Sequence, residues 1–264
     1  MINKNNLTNS LYWDNYWKNI RLPKEIQRSN NRLLQNKILD IFDTFLAKDS
    51  NKSVAEIGGA PGQYLAYLAK NFGYKVNCID SSDVGCRKTK ENFKLLKIDG
   101  SVFQVDIFKE NIDLPQFDIV ISLGFIEHFN DINFVISKHL DILKPGGILI
   151  LGVPNFLGVT KFFLKVLCPN LLSKHNLKIM NIKNWDYIQN EFQLHKIFNN
   201  YVGGFEPSIF NRIETKTAKT AKTKLFKLTA SFLNILFHKN LKVLRKFNNK
   251  FISGYLLGIY FKNK

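Results

Sequence analysis

The sequence predicts an α/β fold in which helices flank a parallel β-sheet. Between residues 53 and 154, short apolar runs alternate with stretches of helical periodicity, the pattern typical of successive βαβ units. The first apolar run leads into a glycine-rich turn, and an acidic residue follows each of the next two runs. A chain of 264 residues with 45% hydrophobic content has enough apolar material for one elaborated domain.

Five strands and three helices are predicted in this central part of the chain. Apolar and β-branched residues dominate each strand, and apolar residues recur every three or four positions in each helix. Pro145 and the two glycines after it end the last helix and form a turn. We place the strands at 53–57, 75–79, 101–105, 117–123 and 147–153, and the helices at 63–72, 84–96 and 132–143.

Three stretches make up the predicted single domain. Residues 1–50 form an N-terminal helical cap, and residues 51–155 form the sheet core. Residues 156–264 supply a substrate-recognition insertion and a basic amphipathic helix at 225–243.

The net charge of +17 is concentrated in the C-terminal part of the chain. Residues 1–160 carry 19 basic and 17 acidic side chains, whereas residues 161–264 carry 19 basic and 4 acidic ones. A basic surface attracts anions, so the amphipathic helix could lie on an anionic membrane and present a lipid-linked substrate. The alternatives are a helix docked on the sheet with its basic face in solvent and, ranked lower because no RNA-binding module is recognised, nucleic acid.

A cytoplasmic location is predicted, with peripheral contact at the inner face of the membrane left open. Cys78, Cys86 and Cys168 form neither a Cys-x-x-Cys pair nor a metal spacing, and their odd number fits a disulfide framework poorly. The N-terminus lacks an apolar signal-peptide core, and no apolar run reaches the ~20 residues of a membrane span.

A glycine-rich turn, Glu56-Ile-Gly-Gly-Ala-Pro-Gly62, follows the first strand. Small residues let a ligand approach the backbone, and open α/β sheets bind ligands outside the carboxyl ends of their strands. The dinucleotide pattern Gly-x-Gly-x-x-Gly is not met, because Ala60 and Gln63 stand at its second and third glycine positions. This argues against a nicotinamide-dependent dehydrogenase.

Polar residues also follow the next three strands. Asp80, about 20 residues past the glycines, could accept hydrogen bonds from ribose hydroxyls. Asp106 could accept one from an adenine amine. The fourth strand turns polar at Glu127 and His128. Four strand ends thus offer polar groups to one ligand.

These motifs, with the Leu143-Lys-Pro-Gly-Gly147 turn, resemble the class I S-adenosylmethionine-dependent methyltransferases, of the group that includes ubiquinone-type O-methyltransferases. The resemblance covers residues of about 50 to 155. It implies a Rossmann-like seven-stranded sheet, with two more strands after the fifth, one of them antiparallel; 251–261 is the candidate for the last. It also implies S-adenosylmethionine as cofactor. The implied cofactor-binding residues are Glu56, Gly58, Gly59, Ala60, Gly62, Asp80, Ser81, Asp106, Ile107 and Leu123.

The sequence departs from the metal-dependent relatives. In these a Glu-x-x-Glu-His cluster follows the fourth strand and helps to hold a divalent cation, but Gly124 stands here at the position of the first Glu. We therefore predict no metal. Glu127 and His128 are the predicted catalytic residues, because a neutral histidine can accept a hydroxyl proton.

Other roles for these and nearby residues stay open. His128 could instead be a residue at a helix start that bonds backbone, and His175 and His195 are alternative bases. Residues 175–210 are the expected substrate-binding insertion. The aromatic cluster near the N-terminus resembles a lid that closes over the cofactor, although an ordinary packing helix would show the same pattern. Its members are Tyr12, Trp13, Tyr16 and Trp17.

The predicted function is methyl transfer from S-adenosylmethionine to oxygen of a small-molecule, sugar or lipid-linked acceptor. The choice of oxygen rests on the resemblance alone. The alternatives are an RNA methyltransferase, which the basic C-terminal part would suit, and a non-catalytic S-adenosylmethionine-binding partner subunit.

Overall fold

A computed structural model describes residues 6–29, 32–110, 112–167, 169–204 and 248–263. The strands, in chain order, are β1 Ser53–Ile57, β2 Lys75–Asp80, β3 Gly100–Gln104, β4 Phe117–Leu123, β5 Leu143–Pro154, β6 Leu194–Val202 and β7 Tyr255–Lys262. The α-helices are α1 Ser10–Lys18, α2 Leu33–Phe45, α3 Gln63–Phe72, α4 Asp83–Leu96, α5 Ile132–Asp141, α6 Val159–Leu167, α7 Pro169–Leu172 and α8 Ile188–Glu191. Short 3₁₀ turns cover Ile126–His128, Leu177–Met180 and Ile182–Trp185.

The seven strands form one sheet in the order β3-β2-β1-β4-β5-β7-β6. The first five are parallel, and β7 lies antiparallel between β5 and β6. The strand order reverses between β1 and β4, so a crevice opens at their carboxyl ends. This architecture confirms the predicted Rossmann-like methyltransferase sheet.

The predicted elements differ from the observed ones mainly at their ends. The helix placed at 132–143 ends at Asp141, because Leu143 already pairs with Phe117 as the first residue of β5. The final strand begins at Tyr255 rather than at residue 251, after a turn. The proposed amphipathic helix at 225–243 lies outside the described residues. In the described part of the chain, no helix combines the length and the apolar character that a membrane crossing requires.

The sheet is buried on both faces, as the near-continuous apolar runs of β1 and β4 require. Along β4, Val120 faces one apolar core, whereas Ile119 and Ile121 face the other. The second core also receives Leu39 and Phe42 of α2, both fully buried. Helix α2 of the predicted N-terminal cap is therefore part of the core. Only α1 of that cap lies near the crevice.

A polar contact joins three segments at the amino ends of the strands. The backbone N–H and the hydroxyl of Ser53 donate to Asp118 Oδ2 at 2.9 and 2.8 Å, and Lys144 Nζ donates to the same oxygen at 3.0 Å. Burial alone would raise the pKa of Asp118, but these donors outweigh it and lower that pKa.

We expect Asp118→Ala to lower the free energy of unfolding by about 1–3 kcal/mol, because the Ser53 donors lose their acceptor. Since the folded-state pKa is lowered, the contribution is present above the ordinary pKa of about 3.9 and is lost as the pH falls through the lowered value. Urea titrations at neutral and acid pH measure it, with the exposed Asp113→Ala as the matched control. Equal destabilisation by both variants would contradict the assignment.

Candidate active site

The glycine-rich turn connects β1 to α3 in a tight backbone path. Gly58 and Gly62 have φ of +68° and +79°, a region that side chains disfavour. The Gly58 N–H donates to Ile79 O at 2.8 Å, and the Gly62 N–H donates to Gly59 O at 2.7 Å. The turn is thereby fixed to the end of β2. Glycine is required at 62 for a second reason, because a Cβ there would lie 2.5 Å from the Phe93 ring.

Asp80 ends β2 beside this turn and is 8% exposed. Its Oδ1 accepts the Ser82 N–H at 2.9 Å, and its Oδ2 accepts the Ala60 N–H at 3.4 Å. Burial raises the pKa of Asp80 to about 6, against the lowering effect of these backbone donors. Each carboxylate oxygen keeps capacity for a further hydrogen bond from a ligand hydroxyl.

Glu56 lies under the turn and is 4% exposed. Burial, and then the negative charge of Asp80, raise the pKa of Glu56 to about 8. The side chain is therefore mostly protonated at neutral pH. Its Oε2 has no hydrogen-bond partner among the residues that the structure describes.

The other predicted cofactor-binding residues lie near the carboxyl ends of the strands, on the same side of the sheet as the glycine turn. Asp106 follows β3, is partly exposed and accepts the Phe108 N–H at 3.1 Å through Oδ1. Ile107 beside it is buried, Ser81 is exposed next to Asp80, and Leu123 ends β4. The topology thus brings the predicted set to one crevice, and the binding role of each residue stays a prediction.

Helix α1 covers this crevice. Its Asp14 accepts a hydrogen bond from the Ser82 hydroxyl at 2.5 Å, directly beside Asp80. The Trp17 ring packs against Gly85 and Ala60, so closely that a Cβ at position 85 would lie 2.9 Å from it. Trp17 Nε1 has no hydrogen-bond partner within the described part of the chain. The Asp14–Ser82 bond was not predicted, since no local pattern marks an exposed-helix aspartate as a lid contact.

The other end of the N-terminal segment lies against the 3₁₀ turn after β4. The Leu7 N–H donates to His128 O at 2.8 Å, and the Trp13 ring meets the His128 imidazole edge-to-face, with centroids 4.9 Å apart. The N-terminal segment therefore contacts both the Asp80 side and the His128 side of the crevice. These contacts support the lid interpretation of the aromatic cluster.

Glu127, His128 and His175 come together at this second side. Glu127 and His128 are 1% and 4% exposed. The distance from His128 Nε2 to Glu127 Oε1 is 3.8 Å, and the two imidazole centroids are 4.5 Å apart. His175 reaches the cluster from the segment between α7 and the next 3₁₀ turn, 47 positions later in the chain than His128.

Burial, followed by the neighbouring His175, lowers the pKa of His128 to about 3. The imidazole is neutral at physiological pH, as predicted, but a base with so low a pKa accepts a proton poorly without help. The proposed alternative base His195 does not fit the site. It is exposed at the start of β6 and pairs with Phe261, at the opposite edge of the sheet.

The crevice fits an adenosyl ligand with a cationic end. The Gly58–Gly62 backbone leaves the space that side chains would fill, and Asp80 offers acceptors for hydroxyl groups. The buried Glu56 Oε2 and Trp17 Nε1 flank the turn as two polar atoms without a hydrogen-bond partner among the described residues. Buried polar atoms of this kind usually have a partner, and a polar ligand would provide it.

The raised pKa of Glu56 makes the stability of the ligand-free protein depend on pH. Between the ordinary value of 4.5 and about 8, the folded state binds more protons than the unfolded state, so stability falls as the pH rises, by at most about 1.4 kcal/mol per pH unit. We expect Glu56→Gln to flatten this slope in urea titrations from pH 5 to 8. An unchanged slope would show that Glu56 is already ionised in the folded protein.

The family comparison places a methyltransferase domain model on residues 55–149. The ubiquinone biosynthesis O-methyltransferase of Pelagibacter ubique (strain HTCC1062) is 30% identical over 122 residues, which are 44% of this chain and 50% of that protein. The chain thus aligns with about half the length of this curated relative.

Solved structures share the fold. The geranyl diphosphate C-methyltransferase of Streptomyces coelicolor A3(2) superposes with a TM-score of 0.60 at 11% identity, over 96% of this chain and 98% of that one. A methyltransferase from Thiobacillus denitrificans, in complex with S-adenosyl-L-homocysteine, superposes with a TM-score of 0.56 at 14% identity, over 89% of this chain and 94% of that one. Residues 55–149 thus match a methyltransferase domain, and the described residues share the fold of solved methyltransferases.

Proposed function

We propose that this protein transfers the methyl group of S-adenosylmethionine to an oxygen of a small acceptor molecule. The observation that carries the proposal is the convergence of Glu56, Asp80 and Asp106 around the glycine turn, beneath the aromatic helix α1. Such a crevice can hold the cofactor on one side and an acceptor on the other.

Each element of the crevice has a role in this proposal. The Gly58–Gly62 backbone and Leu123 face the methionine part, Asp80 accepts bonds from the ribose hydroxyls, and Asp106 with Ile107 flanks adenine. Glu56 supplies a carboxylate near the cationic end of the cofactor. Ionisation of Glu56 would then accompany binding, since a nearby cation favours the charged carboxylate.

The bound cofactor would supply an electrophilic methyl group on a sulfonium. The protein contributes alignment of the two reactants and exclusion of water. In the reaction the acceptor oxygen forms the new bond to carbon, the carbon–sulfur bond breaks to leave S-adenosylhomocysteine, and the hydroxyl proton passes to a base on the acceptor side, for which Glu127 and His128 are the candidates. We assign Glu127 and His128 to the acceptor side, where they contact and orient the hydroxyl group.

Two observations support a small acceptor and oxygen as the methylated atom. Glu127 and His128 are almost fully buried, and the Trp13 ring contacts His128, so the closed site suits a small group rather than a folded macromolecule. The curated relative from Pelagibacter ubique is named as an O-methyltransferase. A lipid-linked acceptor and contact with an anionic membrane remain part of the proposal through the basic residues 205–247, which lie outside the described structure.

Calorimetric titration with S-adenosylmethionine and S-adenosylhomocysteine tests the cofactor assignment, with NAD as the negative comparator. We expect Asp80→Ala to weaken binding of both by roughly 10–100-fold, because a charge-assisted hydrogen bond contributes about 1.5–3 kcal/mol. The matched control is Asp99→Ala, which changes an exposed residue just before the amino end of β3. This variant should bind the cofactor as the wild type does. Tighter binding of NAD would overturn the proposal.

His128→Ala separates cofactor binding from transfer. The cofactor affinity should stay within about twofold, while transfer of a radioactive methyl group to small molecules of a cell extract should fall at least tenfold. An unchanged transfer rate would remove His128 from the acceptor side. Cofactor binding without transfer by the wild type to any small-molecule, lipid or RNA extract would instead favour the non-catalytic partner subunit.

A further inference from the structure

We propose that Glu127, His128 and His175 form a binding site for a divalent transition-metal ion. One candidate ligand atom from each of the three lies within 4.8 Å of the other two. Glu127 and His128 are buried, and His175 is partly buried. The sequence argued against a metal because Gly124 stands where metal-dependent relatives have a glutamate. In the folded chain, His175 of the segment after β5 supplies a third ligand that this spacing argument could not anticipate.

The hydrogen bonds of the two histidines prepare them for this role. His128 Nδ1 bonds the Lys174 carbonyl at 2.9 Å, and His175 Nδ1 bonds the Leu171 carbonyl at 2.6 Å. A carbonyl oxygen only accepts, so each Nδ1 carries the proton and each Nε2 keeps a lone pair. Backbone carbonyls fix metal-binding histidines in the same tautomer and orientation.

The two carbonyls also come from the segment that carries His175. A single short stretch, from α7 to residue 175, therefore supplies one ligand and orients both imidazoles.

The candidate ligand atoms lie farther apart than those of an occupied site. A tetrahedral zinc site with bonds of about 2.0–2.2 Å places its ligand atoms about 3.4 Å apart, compared with 3.8 Å between His128 Nε2 and Glu127 Oε1. Small side-chain rotations would close the site on an ion. Trp13 meets the His128 imidazole edge-to-face and Phe156 meets the His175 imidazole in the same way, so two aromatic rings border the cluster.

Two histidines and one carboxylate favour a particular class of ion. This set is typical of Zn²⁺ and Fe²⁺ sites with an open coordination position, whereas Mg²⁺ prefers oxygen ligands alone. An ion here would hold an acceptor oxygen at its open position on the acceptor side of the crevice. That last role rests on the proposed function, but ion binding does not.

Titration of the tag-free, chelator-treated full chain with Co²⁺ tests the site, with visible absorption and calorimetry as readouts. We expect one Co²⁺ per chain, displaced by Zn²⁺ and unaffected by excess Mg²⁺. His175→Ala and Glu127→Gln should each weaken binding at least about tenfold. His195→Ala, which removes an exposed histidine at the far edge, is the matched control and should bind as the wild type does.

Absence of stoichiometric Co²⁺ binding by the wild type, or equal binding by His175→Ala and the wild type, would overturn the inference. Circular dichroism checks that each variant is folded, and Glu127→Gln decides the question if His175→Ala is not. Cofactor titration of the same samples separates the two proposals. Metal binding without S-adenosylmethionine binding would contradict the proposed function alone. Binding of S-adenosylmethionine without metal binding would contradict the metal site alone.

Discussion

The buried carboxylate of Asp80 is the contact on which the crevice depends. An ionised carboxylate that is 8% exposed is unfavourable unless donors surround it. Here the N–H groups of Ala60 and Ser82 provide them, so one side chain ties the glycine turn after β1 to the start of α4. The carboxyl ends of two parallel strands are thereby held at a fixed separation, and a ligand between them meets a preformed backbone surface.

The N-terminal segment depends on the same region. Ser82 caps α4 by accepting the Gly85 N–H and also donates to Asp14, so the position of α1 follows from the position of the Asp80 loop. At its other end this segment is held by the main-chain bond from Leu7 to His128. One N-terminal segment therefore covers both the Asp80 side and the His128 side of the crevice. Movement of this segment would open both sides together, which suits a reaction that must exclude water.

The His128 side of the crevice shows how burial changes the chemistry of a familiar residue type. A solvent-exposed histidine is a good general base near neutral pH, but His128 has a pKa of about 3 because it is buried beside His175. The imidazole is therefore neutral at physiological pH for a reason that lies in its folded surroundings and not in its residue type.

The sequence by itself determined the central sheet, the glycine turn and the acidic strand ends, because these depend on local periodicity and on residues adjacent in the chain. Helix α3 and strands β1 and β4 have the predicted bounds. Only the tertiary structure decided that α2 joins the core, that β7 lies between β5 and β6, that Asp14 meets Ser82, and that His175 joins His128 while His195 does not. Such contacts join residues separated by tens of positions, as the 68 between Asp14 and Ser82 show, and no local pattern records which distant segments pack together.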